Sequence, residues 1–177
     1  MNITLDHNCI IDILNKTNVG ALMQSVIANN TYRCFVVNIG ASEIRRRGAY
    51  PESYDRFEEL LVEAGVDNLP RLNPMNIFDV TFWDRSVFAN NRMIKLSEEI
   101  NFILFGQLAF IEKPIDGIDS PVGRKWLNRL CDVHSMWCHI HNSNDIFLTN
   151  DRNFTKRTKL LKLIELGAGR ICRPQEL

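Results

Sequence analysis

Three short, almost wholly apolar runs constrain this chain more than any other feature: Ile3-Thr4-Leu5, Cys34-Phe35-Val36-Val37 and Ile146-Phe147-Leu148. Each is too short for a helix, and the second and third are unbroken by any polar residue, unlike a one-sided strand. Such runs are the mark of strands covered on both faces, as in parallel sheets. Each ends on a polar residue: Asp6, Asn38 and Thr149-Asn150-Asp151. The segments between them read as helices, and strands alternating with helices indicate an α/β fold with a mainly parallel sheet.

The helices are read from period and punctuation. Asn8 to Leu14 opens one, capped by Asp6 or Asn8, and Val19 to Ala28 continues with Leu22, Met23, Val26 and Ile27 on one face. Gly40 to Arg47 carries Glu43 in its first turn, and Gly48 and Pro51 stop it. Glu52 to Ala64 follows, with Phe57, Leu60, Leu61 and Ala64 inward, ended by Gly65. Leu69 to Leu72 is a short strand that Pro70 confines to an edge or an end. Val80 to Trp83 reads as a strand or as the lead-in to a helix over Ser86 to Phe105. Pro114, Gly117, Pro121 and Gly123 mark a loop. A long helix then runs to His141, with Trp126, Leu130, Val133, Trp137 and Ile140 apolar. A basic helix over Thr155 to Leu166 precedes a last strand at Arg170-Ile171-Cys172. The aromatic residues Phe78, Phe82, Trp83, Phe88, Phe102, Phe105 and Phe110 are expected mostly in the core, with an exposed subset available to a protein partner.

Composition narrows the class. With 177 residues, 45% apolar and 24% charged, one domain with a substantial core is expected. Lysine plus arginine balance aspartate plus glutamate at 21 each, so polyanion contacts must come from local clusters. The cysteines are odd in number and scattered, which argues for reduced thiols and a cytoplasmic location. No apolar run approaches bilayer thickness, so no membrane partner is expected.

Chemistry gathers on carboxylates. Asp6 and Asp151 each follow a strand at the edge where α/β sheets place their ligands. Glu43 begins the helix after the second strand, and Asp132 lies on the long helix. Four such carboxylates close together repel one another and resist ionisation unless a divalent cation neutralises them. Oxygen-only ligation selects a hard ion, Mg²⁺ or Mn²⁺. Such ions act on phosphodiesters. Asn8 is placed to orient Asp6 or a water, and Thr149 and Asn150 to touch a substrate phosphate. Arg45 and Arg46, after Glu43, and Lys156, after Asp151, flank the acids where contacts to a substrate's phosphates would be needed. Cys131, His134, Cys138 and His141 are zinc-type residues, but they fall along one stripe of one helix. A straight helix cannot wrap four ligands around an ion, so they read as core or groove lining.

Ile3-Thr4-Leu5-Asp6-His7-Asn8, Gly40-Ala41-Ser42-Glu43, Asp132 and Asn144-Asp145-Ile146-Phe147-Leu148-Thr149-Asn150-Asp151-Arg152-Asn153-Phe154 together resemble the PIN-domain ribonucleases, the fold of many VapC-type toxins. The resemblance covers about residues 1–65 and 122–177. It leaves a longer middle, at about 67–124, unmatched. It implies a single PIN-like domain over 1–177, a three-layer α/β/α fold, with Asp6, Glu43, Asp132 and Asp151 as catalytic ligands of Mg²⁺ or Mn²⁺. The implied reaction is hydrolysis of RNA, by a toxin with an antitoxin partner or by an RNA-processing or defence nuclease. Homodimers are common in such proteins. Asp145 rivals Asp132 as the third acid, but it precedes its strand and belongs to the opposite edge. An inactive PIN-like module that binds RNA or protein is the alternative. A haloacid-dehalogenase-type phosphatase needs a second Asp where this chain has Asn8.

Overall fold

The computed structural model describes residues 1–44, 50–106, 113–114 and 117–177. Five strands form one sheet in the order β3-β2-β1-β4-β5. They are β1 (Asn2–Leu5), β2 (Arg33–Val37), β3 (Arg71–Leu72), β4 (Ile146–Leu148) and β5 (Arg170–Cys172), and every pairing is parallel. The apolar runs at residues 3–5, 34–37 and 146–148 occupy the three central strands. β1 lies between β2 and β4, with Ile3 opposite both Cys34 and Ile146.

Side chains alternate across this sheet into two separate cores. Ile3, Leu5, Cys34, Val36, Ile146, Leu148 and Cys172 pack on one face, under α1 (His7–Leu14), α2 (Asn18–Ala28) and α4 (Pro51–Glu63). Val37, Leu72, Phe147 and Ile171 pack on the other, against α5 (Asn91–Phe105), α6 (Pro121–His141) and α8 (Arg157–Leu163). The sheet is thus an α/β sheet covered on both sides, as its apolar runs require. Fully burying a side chain such as Phe147, which has no exposed surface, contributes about 1.5–3 kcal/mol.

Helix ends follow local chemistry. Asp6 accepts from the His7 amide at 2.8 Å, so α1 begins one residue earlier than expected. Thr17 Oγ1 accepts from Gly20 N at 3.0 Å and starts α2. On α2 only Met23 of the four expected residues is fully buried, and Leu22 faces solvent. Pro51 opens α4 as its first residue rather than only ending what precedes it, since its fixed φ suits a first turn. α3 (Gly40–Ile44) carries Glu43, while Arg45 and Arg46 lie outside the described residues. Ser120 Oγ accepts from Gly123 N at 3.0 Å to cap α6, which runs to His141.

Three expectations fail. The helix expected over Ser86 to Phe105 begins only at Asn91, because Asn90 caps it by accepting from Met93 N at 3.0 Å. Val80 to Trp83 forms no regular strand; a single 3₁₀ turn spans Trp83–Arg85. The basic helix over Thr155 to Leu166 is broken in two. Asp151 caps α7 (Arg152–Thr155), and Lys156 is extended before α8 begins. A π-type turn, Ile164–Ala168, follows, with Gly167 at φ 105. The middle aromatics are also not mainly core. Phe82 is buried, but Phe78, Trp83, Phe88 and Phe102 are exposed, and Phe110 lies outside the described residues.

All five cysteines are free and buried. Cys131, His134 and Cys138 sit in the core, whereas exposed His141 stacks on Trp137 at 4.4 Å. Among the described residues, no helix is long and apolar enough to cross a membrane.

Candidate acidic site at the sheet switch point

From β1 the chain moves outward to β2 and β3, then returns to place β4 on the other side of β1. The gap beyond the carboxyl ends of β1 and β4 is therefore the topological switch point, where open α/β sheets bind ligands. Leu5 and Leu148 are the last paired residues of these strands, so Asp6 and Thr149 emerge side by side.

Asp6 is buried and held by three donors. Its Oδ1 accepts from His7 N at 2.8 Å, and its Oδ2 accepts from Asn8 Nδ2 at 2.7 Å and from Thr149 Oγ1 at 2.5 Å. These bonds favour the carboxylate, yet burial outweighs them and raises its pKa to about 6, with the nearby Asp151 charge adding to the rise. Asn8 is positioned as expected. It reaches Asp6 with its amide nitrogen and accepts from Asn150 N at 3.1 Å with its oxygen. Thr149 Oγ1 also accepts from Asp151 N at 3.0 Å. The Asn150 side chain turns to Asp12, donating to Oδ2 at 2.5 Å. Thr149 and Asn150 therefore build the site's frame, and both hydrogen-bond within the chain.

Glu43, Asp132 and Asp151 line one open pocket of about 530 Å³, together with His7, Ile11, Ile44 and Asn128. All three acids are half-buried, while Asp6 is buried and is not part of the pocket lining. Desolvation pushes Glu43 well above the usual carboxylate range, and the charges of Asp6, Asp132 and Asp151 push it further. Desolvation likewise raises Asp132 to about 8, reinforced by Asp6 and Asp151 and opposed by the Asn153 amide and Lys159. The charges of Asp6, Glu43, Asp132 and Asp151 thus act on one another, from the end of β1, from α3, from α6 and from the β4–α7 loop. Asp145 stands apart at the amino end of the sheet, where its carboxylate accepts from Asn2 N at 2.7 Å.

The donor chemistry suits a hard divalent cation: oxygens only, mutually repelling and partly desolvated. As the side chains stand, no group of three or more His, Cys, Asp or Glu residues among the described residues is arranged to hold a metal ion. The acids share a pocket and a field without converging on one point.

Several participants escape a reading by motif. Asp12 lies one turn after Asn8, and Asn128 one turn before Asp132; the i, i+4 rule could have placed both on the site's faces. Asn153 and Lys159 form a relay: Lys159 Nζ donates to Asn153 Oδ1 and, at 2.5 Å, to Leu104 O, and the Asn153 amide supports Asp132. His7 is nine-tenths buried against Phe57, and burial lowers its pKa to about 4. His139 turns away from the acids, binding Thr4 Oγ1 at 2.9 Å and Ala168 O at 2.6 Å. Lys156 is exposed at the start of α8.

Comparisons with protein families, with curated proteins and with solved structures found no match for this chain. The functional reading therefore rests on the site itself.

Proposed function

We propose that this chain is a divalent-cation-dependent endoribonuclease of PIN type, hydrolysing RNA phosphodiester bonds at the acidic pocket. One observation carries the reading: carboxylates from four separate parts of the chain gather at the switch point, where burial first, and then the charges of the neighbouring acids, raise the pKa values of Asp6, Glu43 and Asp132. A fold gains nothing structural from that repulsion, whereas a cation site requires it.

Asp6, Glu43, Asp132 and Asp151 are the residues that would hold Mg²⁺ or Mn²⁺. A cation held there would supply charge neutralisation and Lewis-acid activation of water and phosphate. The chain's own part is positional. Asn8 and Thr149 fix Asp6, Asn8 and Asp12 fix the Asn150–Asp151 turn, and the Asn153–Lys159 relay sets Asp132. Exposed Lys156 would meet the RNA backbone, as would Arg45 and Arg46, which follow Glu43 in the sequence. All four acids come from one chain, so a homodimer or an antitoxin partner would regulate the site rather than complete it.

The test is cleavage of a mixed RNA pool with Mg²⁺, with Mn²⁺ and with EDTA, using wild type, Asp6→Asn and Asp151→Asn. Cutting that needs the cation and drops at least about 100-fold in both variants is expected, with circular dichroism unchanged. Cutting that survives EDTA or both substitutions removes the proposal. A non-catalytic RNA- or protein-binding module is the second reading, favoured by the lack of convergence of the acids on one point. RNA binding without cleavage under every cation would establish it.

A further inference from the structure

Residues 75–87 form a loop closed at its base. Met75 and Val87 pair as a parallel bridge, Asn76 N donates to Val87 O at 2.8 Å, and Asn76 Nδ2 donates to Ser86 Oγ at 3.0 Å. Inside the loop, Ile77 N donates to Thr81 Oγ1 at 2.8 Å and Ser86 Oγ to Phe82 O at 2.9 Å. Buried Phe82 anchors it edge-on to Tyr54, with ring centroids 5.3 Å apart. The backbone is thus well fastened.

What this loop holds outward is aromatic. Trp83 is 73% and Phe88 78% exposed, and the two rings meet edge to face at 5.7 Å. Phe78, on the same loop, is 92% exposed. Large apolar side chains fixed in solvent by a braced backbone mark an interaction surface. Between them in sequence is exposed Arg85, with its guanidinium 5.0 Å from the Tyr54 ring; it makes no ion pair among the described residues.

The loop is tied to the acidic site. Ser42, the residue before Glu43, donates its hydroxyl to Val80 O at 2.7 Å in a buried bond. Trp83 is three residues further on, so the chain places it at most about 11 Å from that anchor. Exposed ring faces with an unpaired guanidinium match a ligand that is both planar and anionic. Unstacked bases on a phosphate backbone are that ligand; in a duplex the base faces are already covered.

We propose that Trp83 and Phe88, with Arg85 between them, form a base-stacking platform that selects single-stranded RNA and leads it to the Glu43 side of the pocket. This rests on the nuclease reading of that pocket. Protein partners also favour Trp and Arg anchors, so the experiment must separate the two.

Trp137 is buried and Trp126 half-buried, so Trp83 reports binding by its fluorescence. An oligouridylate and a matched RNA duplex are titrated into wild type and a Trp83→Ala/Phe88→Ala double variant, in EDTA and in Ca²⁺. Binding is followed in parallel by anisotropy of labelled RNA. Quenching of wild type by the single strand is expected, with at least about tenfold weaker single-strand binding by the double variant. Absence of wild-type quenching, equal affinity of the two proteins, or equal preference for duplex overturns the proposal. So does sedimentation showing that the double variant changes only oligomeric state, which would assign the patch to a second copy. Failure of the two readings is distinguishable. Quenching without cutting of the RNA pool sinks the nuclease alone, and cutting without any effect of the double variant on binding sinks the platform alone.

Discussion

Thr149 serves three contacts with one hydroxyl: it donates to Asp6 Oδ2 and accepts from Asn8 Nδ2 at 3.3 Å and Asp151 N at 3.0 Å. Thr149→Val keeps the shape and removes all three. Leaving buried polar groups short of partners costs about 1–3 kcal/mol, so the urea midpoint should fall while the slope is unchanged. An unchanged midpoint would mean that water replaces the hydroxyl. Loss of this donor also removes one of the bonds that hold the Asp6 pKa down. Asp6 and Asp151 were legible as site residues because each directly follows a short apolar run. Glu43 and Asp132 came mainly from the order of residues in a resembling family. Asp12 and Asn128 were not legible, since seeing them requires knowing which helical face meets the β4–α7 loop.

Elements transmit such effects. Gly20 on α2 lies against the α1 backbone, where an added Cβ would stand 2.3 Å from Asp12 O. Gly20→Ala should therefore force the two helices apart at a cost of about 1–3 kcal/mol, despite the roughly 1 kcal/mol that Ala gains over Gly in a helix. Because Asp12 holds Asn150, RNA cleavage should weaken along with the urea midpoint; a more stable variant would refute the close contact. The strands were readable from apolar runs, and α6 from its period and its Pro121 start. Residues 74–90 were not. They have neither period, and side chains such as Thr81 and Ser86 fix them by bonding to the backbone. Their aromatic content suggested core, but the braced loop turns most of it outward.

For the whole molecule, the acids link folding to protons and, on the proposed function, to cations. Asp6, Glu43 and Asp132 have raised pKa values, so the folded state keeps protons that the unfolded chain releases. Without divalent cations, the contribution of these acids to stability should be fully present at acidic pH and be lost as pH rises from about 4 to about 8. The buried neutral His7, His134 and His139 act in the opposite direction below about 6.5. For Asp6, moved from 3.8 to about 6, the loss is about 3 kcal/mol. Mg²⁺ at pH 8 should restore it, adding about 2.7 kcal/mol at 100 times its dissociation constant. Asp132→Asn should flatten the pH slope and blunt the response to Mg²⁺. Melting curves in EDTA and in Mg²⁺ across this range provide the check, and a melting temperature indifferent to both Mg²⁺ and Mn²⁺ would count against a cation site. The strand order has a further consequence in time. β1 is made first, but its partner β4 and the Thr149 hydroxyl that fixes Asp6 lie 143 residues away. A chain emerging from the ribosome therefore carries Asp6 without its Thr149 donor or its β4 neighbour until that distant segment is also out, so the acidic edge forms late in synthesis.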